Sequence, residues 1–597
     1  MTMIRLTTFK QGCISTSILK SCISGSYQSR QAIRCCITSG RPRYGTAIAR
    51  SIHTPTLSIS TATMTAGQSM SGPNEGNEML NEELQKDTGT MRNKKPINLL
   101  RGWPSTSLLP AAALRAASQT ALSDPAIWAP GLEYGPDPGY QPLREALEYW
   151  LGKFYSSVLP VMPDTATTGV SEDGKAAEKE ADRITITGGA SQSLACILQS
   201  FTDPARTLAI WIVAPCYFLA CPIFADAGFT GRMRAVPEDE EGVDVEVLER
   251  KMCALEKEQR GRSDDGSGSY KDPDPYRKIY RHVVYCVPAF SNPSGRTMTL
   301  ARRQGLVEVA RRHDTLIICD DVYDMLQWHI LPNNPSSSLQ PPQSPNLNKA
   351  LLPRVADLDF AAGRSPHDPE GKHFGHAVSN GSFSKLVAPG TRTGWTFSTA
   401  DFAYGLSQTG STRSGGAASQ LAATIVCELL LTKTKGEEEC LLDTHIRHTL
   451  LPSYARRHAV LMRTVRAELV PLGVRVLEGS LCGQDGVYGG YFVWMTLPSE
   501  TETVLGKRTW PIAQAIADRC RADEDLMIGN GELFAVHGDE EAIRFDNAIR
   551  LCFAWLDEED LVDGVKRLGR VIGKMLFEGP ESWVVKNRGM DNVDEAK

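Results

Sequence analysis

The chain has 597 residues, of which 41% are apolar and 22% charged, an ordinary globular balance that needs neither disulfides nor metal to build a core. A net charge of −6 and a pI near 6.1 give no electrostatic basis for a nucleic-acid or membrane-surface partner, so a small-molecule substrate is expected. The fifteen cysteines are scattered, form no Cys-x-x-Cys pair and often sit in apolar runs, as Cys196, Cys286, Cys319 and Cys552 do, which predicts reduced core residues and no metal site.

Residues 1–74 contain no Asp or Glu, while eight basic residues, from Arg5 to Arg50, lie among many Ser and Thr. That is the composition of a mitochondrial transit peptide and predicts a matrix location. A true start at Met64 or Met70 would instead leave a cytoplasmic protein. Loss of the leader would take the net charge from −6 to −14. A polar linker follows over residues 75–96, and the first ordered-looking element begins at Ile97.

From there the chain alternates. The stretch 97–140 reads as an N-terminal arm joined to part of a small domain, 141–430 as a large domain, 431–580 as the C-terminal small domain, and 581–597 as a tail. Strands are predicted at Ile184–Thr187, Leu208–Val213, His282–Val287 and Leu316–Cys319, with helices at Ser191–Phe201 and Leu300–His313. Continuous apolar strands separated by helices predict an α/β fold, a mostly parallel sheet covered on both faces. The uncharged run Leu208–Ala225 is long enough to raise a membrane flag, but Pro215 and Pro222 interrupt it, and a buried strand, a turn and a helix explain the same letters. Three stretches rich in charge, Ser, Gly and Pro (161–182, 256–275 and 331–373) are expected to be solvated surface loops. Beyond Gly416 the pattern changes to a long helix, a basic helix near 446–469, antiparallel-type strands at Gly490–Trp494 and Ile549–Phe553, and a last helix over 558–575. This is a smaller α+β unit.

Four short motifs fall at strand ends. Thr187-Gly188-Gly189-Ala190-Ser191-Gln192 turns from strand to helix and offers backbone N–H groups and a hydroxyl to an anion, although a tight turn alone would explain its glycines. Asn292, in Ser291-Asn292-Pro293-Ser294-Gly295, places an amide beside a proline turn. Asp320, in Cys319-Asp320-Asp321-Val322-Tyr323, brings a carboxylate out of a buried strand, which is costly unless it meets a cation or ligand. Ser382-Phe383-Ser384-Lys385, followed by Arg392, puts two hydroxyls, an amine and a guanidinium in one loop. A lysine among apolar neighbours has a lowered pKa and becomes a nucleophile toward an aldehyde. Each residue alone has a bland explanation as a turn, cap or surface charge. In this order they match a cofactor that carries an aldehyde, a phosphate and a pyridine ring.

The series Gly-Ala-Ser, Asn-Pro-x-Gly, Asp-x-x-Tyr and Ser-x-Ser-Lys-x6-Arg-x-Gly resembles the class I/II aminotransferases of the fold type I pyridoxal-phosphate superfamily. The string from Ser382 to Trp395 is most similar to the 2-aminoadipate, kynurenine and aromatic branch. The resemblance runs from about Ile97 to Ile572. It implies pyridoxal 5'-phosphate held covalently by Lys385, with Asp320 on its ring nitrogen, and Asn292 and Tyr323 at its phenolic oxygen. Gly189, Ala190, Ser191, Ser382, Ser384 and Arg392 would hold its phosphate. It further implies that Tyr217 stacks on the ring, and that Arg550 grips the substrate α-carboxylate with Gly102 and Asn292 bordering the substrate. Tyr134 would cross to the phosphate of a second copy, so that a homodimer shares its sites. The implied reaction moves an amino group from an amino acid to a 2-oxo acid. A β-lyase, decarboxylase or cyclopropane-forming synthase on the same fold is the nearest alternative, since fold does not settle reaction type; a regulator with an aminotransferase-like domain is a more distant one.

Overall fold

The computed structural model describes residues 94–159, 179–260, 269–272, 274–331, 351–416, 418–434, 439–477, 486–498, 500–503, 506–580 and 583. All belong to one compact unit, Met91–Lys597. The expected leader and nearly all of the expected linker and tail lie outside the described residues.

The large sheet has the strand order Ile184–Thr187, Gly394–Phe397, Ala377–Ser382, Thr315–Asp320, His282–Cys286, Ala209–Ala214, Met233–Asp239, Gly242–Val243. The strands from Ala377–Ser382 to Met233–Asp239 run parallel, and Gly394–Phe397 is antiparallel to both of its neighbours. The resemblance to the fold type I superfamily implies a seven-stranded sheet; the eighth strand is the two-residue edge Gly242–Val243, too short to leave a periodic signal. Every residue of Ile184–Thr187, Ala209–Ala214, His282–Cys286, Thr315–Asp320 and Ala377–Ser382 is buried, as a sheet covered by helices on both faces requires. The uncharged run after Leu208 is the strand Ala209–Ala214, a cis Ala214–Pro215 bond and the short helix Cys221–Phe224. Among the described residues no helix is long and apolar enough to cross a membrane.

A second sheet is wholly antiparallel, in the order Arg475–Val476, Phe492–Thr496, Ala548–Cys552, Gly529–Asn530. The helices Leu451–Glu468 and Glu558–Glu578 pack together against it. Three acidic residues in the first turn of Glu558–Glu578 oppose the positive end of its dipole. The arm returns here: Ile97–Asn98 pairs in parallel with Leu526–Met527. The same hydrophobic cluster runs through both sheets.

Two of the stretches expected as solvated loops are tied into the fold, 331–373 by buried residues and 256–275 by residues that stay exposed or half-buried, as expected. Within 331–373, Val355–Ala361 is a helix whose preceding Arg354 is buried, pairs with Asp357 at 2.8 Å and lies 3.7 Å from the Phe397 ring centroid. Asp359 accepts from the His376 and Ala377 amides, clamping the start of the strand that leads to Lys385. Within 256–275, Ser269 and the Lys271 amide bond the Asp203 carboxylate, and Lys271 Nζ caps the helix Ala190–Phe201 at the Gln199 carbonyl, 2.6 Å. Charge-rich composition reads as solvent-facing, yet these charges are paired, which makes their burial tolerable.

Candidate active site

The carboxyl ends of the parallel strands open on a cavity of about 380 Å³, where a sheet of this class exposes its ligand crevice. It is lined by every residue singled out from the sequence except Gly189 and Tyr134.

At its floor stands Asp320, the last residue of its strand and 9% exposed. The Tyr285 hydroxyl, on the neighbouring strand, donates to Asp320 Oδ2 at 2.8 Å. Oδ1 is buried and has no hydrogen-bond partner among the described residues. Burial lifts the carboxyl to about 6, against the pull of the Tyr285 hydroxyl and the Lys385 charge. A carboxylate in this state is completed by a cation placed on Oδ1.

Lys385 follows the strand Ala377–Ser382 and is anchored by buried Phe383, Leu386 and Val387. Its Nζ donates to the Gly102 carbonyl at 3.0 Å, so the N-terminal arm closes over the lysine. Burial pushes its ammonium down to about 8, with Cys552 and Asp320 raising it and Arg550 lowering it further. A sizeable neutral fraction near physiological pH makes the amine a usable nucleophile and base.

The anion end is built from three segments. Gly189, at φ +100°, starts the helix Ala190–Phe201, whose first amides face the cavity with Ser191. The Asn380 amide donates to the Ala190 carbonyl at 3.0 Å and ties this helix start to the strand before Lys385. Ser382 Oγ and Ser384 Oγ are 2.9 Å apart, and Arg392, left-handed at φ +45°, reaches Ser384 Oγ at 3.4 Å and the Gly188 carbonyl at 2.7 Å. A Cβ at Gly189 would stand 2.6 Å from Arg392 Nη2, so glycine preserves the cradle.

Across the cavity Arg550 is buried on an inner strand of the small sheet. Its guanidinium donates to Asn292 Oδ1 at 2.8 Å and to the Leu100 carbonyl, and lies 4.2 Å from the Phe492 ring centroid. Its Nε is buried without a partner. Burial lowers Arg550 to about 10, which leaves it cationic at neutral pH. Tyr217 is raised to about 12 and Tyr323 well above its ordinary value, chiefly by burial, so both phenols remain protonated donors.

Tyr134 is 87% exposed and packs beside Gly415, away from this cavity. The sequence reading missed Tyr285, which sits inside an apolar strand like any core tyrosine. It also missed the walls Phe218, Leu219 and Val287. The period-two pattern of Val283, Tyr285 and Val287 was the one available signal, because it puts Tyr285 on a single face with them.

The groups present fit pyridoxal phosphate: an orphaned carboxylate oxygen for the ring nitrogen, a neutralisable lysine for the aldehyde, and a glycine-cleared cradle of hydroxyls, amides and guanidinium for the phosphate. The fold and site define a pyridoxal-phosphate-dependent transaminase. The family model for class I and II aminotransferases matches residues 131–568, and the chain belongs to that family. It is 32% identical to an uncharacterized protein of Saccharomyces cerevisiae, over 80% of this chain and 97% of the relative. It is 26% identical to aromatic-amino-acid aminotransferase 1 of Thermococcus litoralis, over 80% and 88%. Its fold matches that of a Pyrococcus horikoshii kynurenine aminotransferase solved with PMP, at a TM-score of 0.55 and 24% identity, covering 81% of this chain and 92% of that one.

Proposed function

We propose that this aminotransferase takes its amino group from an aromatic or kynurenine-type amino acid and works as a homodimer. The observation that carries the donor is the apolar lining of the cavity that holds Arg550 and Lys385: Trp103, Phe218, Leu219 and Phe492. Arg550 is at hand for one carboxylate, and the apolar wall favours a flat side chain beyond it. The aromatic activity in the name of the Thermococcus relative supports the same reading.

Bound pyridoxal phosphate supplies an aldehyde to join the amino group and a ring that draws electrons from the substrate's α-carbon. The chain does the rest. Asp320 Oδ1 holds a proton at the ring nitrogen. Ser382, Ser384, Arg392 and the first amides of Ala190–Phe201 hold the phosphate. Arg550 orients the substrate through its α-carboxylate, Asn292 and Tyr323 offer hydrogen bonds to the ring oxygen, and the Lys385 amine carries the α-proton.

A single turnover of the loaded enzyme against a panel of amino acids tests the reading. Loss of the visible absorbance fastest with aromatic donors, with release of the matching 2-oxo acid, is expected. Release of ammonia or carbon dioxide would replace transamination by a lyase or decarboxylase reaction.

The homodimer reading rests on exposed Leu122, Trp128, Leu132, Tyr134, Tyr149 and Leu431, carried by the mutually packed segments 111–155 and 420–431. In it, Tyr134 serves the phosphate of the second copy. Mixing inactive Tyr134→Ala and Lys385→Ala chains then restores activity, because half of the sites in mixed dimers carry neither change. The acid-free leader suits mitochondrial import, and a fluorescent fusion of residues 1–74 that stays in the cytosol would remove that part of the proposal.

A further inference from the structure

Lys385 rests against an aromatic face with no part in the assignments above. Tyr491 is wholly buried, and its ring centroid lies 5.3 Å from Lys385 Nζ. Its hydroxyl donates toward the Lys385 main-chain carbonyl at 3.5 Å and pairs at 3.1 Å with the hydroxyl of Tyr454, itself wholly buried on the helix Leu451–Glu468. The Tyr323 ring lies tilted against it, 5.4 Å between centroids. The approach is built in by the turn before it: Gly490 sits at φ +69°, and a Cβ at Gly489 would lie 2.4 Å from the Leu326 carbonyl.

The groups around the Lys385 amine are few. Asp320 and Cys552 favour its charged form, Arg550 opposes it, and the Gly102 carbonyl accepts from it. Tyr217 and Tyr323 are neutral phenols. In the loaded enzyme with substrate bound, Asp320 is paired with the ring nitrogen and Arg550 with a carboxylate, so both fields on the amine are largely cancelled. What remains to favour a charged lysine is Cys552, the Gly102 carbonyl and the negative face of the Tyr491 ring.

We propose that Tyr491 is a positioning residue for Lys385: its ring face holds the ammonium that Lys385 becomes when it takes the α-proton, and its hydroxyl, backed by Tyr454, fixes the lysine main chain. The proposal rests on the transaminase reading. In the step concerned, the Lys385 amine would take the substrate α-proton on its lone pair, with bound pyridoxal phosphate supplying the sink for the C–H electron pair, and the ammonium so formed would later give that proton up. A cation held on an aromatic face at a desolvated site gains enough to raise the lysine by about one pH unit.

The test compares Tyr491→Phe, which keeps the ring, with Tyr491→Leu and Tyr491→Met, which remove it. Two measurements are made on the full chain. The first is the pH dependence of acetic anhydride labelling at Lys385, read by mass spectrometry in the pyridoxamine-phosphate form, where the amine is free. The second is kcat and KM for an amino donor across pH. Tyr491→Phe is expected to label like the parent and to keep kcat within about threefold. Tyr491→Leu and Tyr491→Met are expected to lower the labelling midpoint by about one pH unit and kcat by roughly tenfold, with KM unchanged. Unshifted midpoints in both ring-less variants, or an equal shift in Tyr491→Phe, would overturn the proposal. If one ring-less variant melts too low to assay, the other decides. A parent chain that labels as expected but releases no 2-oxo acid would instead refute the transaminase reading and leave the Lys385–Tyr491 relation standing.

Discussion

Tyr285 and Asp320 lie on adjacent parallel strands, and the phenol of one holds a single oxygen of the other, leaving the second oxygen bare toward the cavity. One hydrogen bond thus both orients the carboxylate and keeps it ionisable in a site whose burial favours the neutral acid. Tyr285→Phe keeps the packing of the ring, which stands edge-on to Phe224, and removes that bond. A hydrogen bond to a charged group is worth about 1.5–3 kcal/mol. Equilibrium dialysis of pyridoxal phosphate should therefore show affinity reduced by roughly tenfold or more, with the fold intact by circular dichroism.

The same carboxylate makes stabilisation by the cofactor depend on pH. Burial raises Asp320 from the ordinary 3.8 to about 6, so the folded chain binds this proton more tightly than the unfolded chain. The stability it contributes is complete below the ordinary value and is lost as pH rises through about 6, a change of about 3 kcal/mol. A ring cation on Oδ1 restores much of that loss. Saturating pyridoxal phosphate should raise Tm more at pH 8 than at pH 5, and Asp320→Asn should reduce the difference to what the Lys385 amine alone contributes; an equal increment in the parent at both pH values would contradict this account.

Arg550 carries two acceptors already, Asn292 and the Leu100 carbonyl, and still has a free Nε. A lysine in its place lacks the planar fork that grips a carboxylate while keeping those bonds. Breaking a buried, hydrogen-bonded charge pair costs about 2–5 kcal/mol. Steady-state assays of Arg550→Lys should show kcat/KM for amino acids reduced about a hundredfold or more, while the visible absorbance of the bound cofactor is retained.

Gly189→Ala separates the phosphate cradle from the chemistry. The added methyl would meet Arg392 Nη2 at 2.6 Å, and alanine pays a backbone penalty at φ +100°. Release of the cofactor on dialysis should be about tenfold faster, while kcat at saturating pyridoxal phosphate changes little. Unchanged release would mean that Arg392 moves aside without loss to the phosphate.

Much of this site was legible because it is made of strand ends. Ile184–Thr187, the run after Leu208, His282–Cys286 and Thr315–Asp320 announce themselves as apolar runs, and the residues that follow them must emerge at one edge of a parallel sheet. Gly189, Asn292 and Asp320 could therefore be placed at strand ends, whereas Lys385, which follows the unpredicted polar strand Ala377–Ser382, was marked only by its own motif. Tyr285 could not, because a tyrosine inside an apolar strand carries no local mark of its hydroxyl's partner. Arg354, Asp359 and Lys271 were hidden for the opposite reason: their neighbourhoods are polar, and their pairing is visible only when distant segments meet.

The sequence by itself determined several of the central strands and the chemical groups that stand at their ends, since hydrophobic periodicity and turn chemistry act over a few residues. Tertiary structure decided how those groups are charged and aimed. Burial brings Lys385 to about 8 and Asp320 to about 6, and Tyr285 leaves one carboxylate oxygen free. The Gly102 carbonyl and the Tyr491 ring, 283 and 106 positions away along the chain, converge on the lysine amine. Desolvation and long-range contact depend on what surrounds a group in space, and a linear order of residues does not contain that.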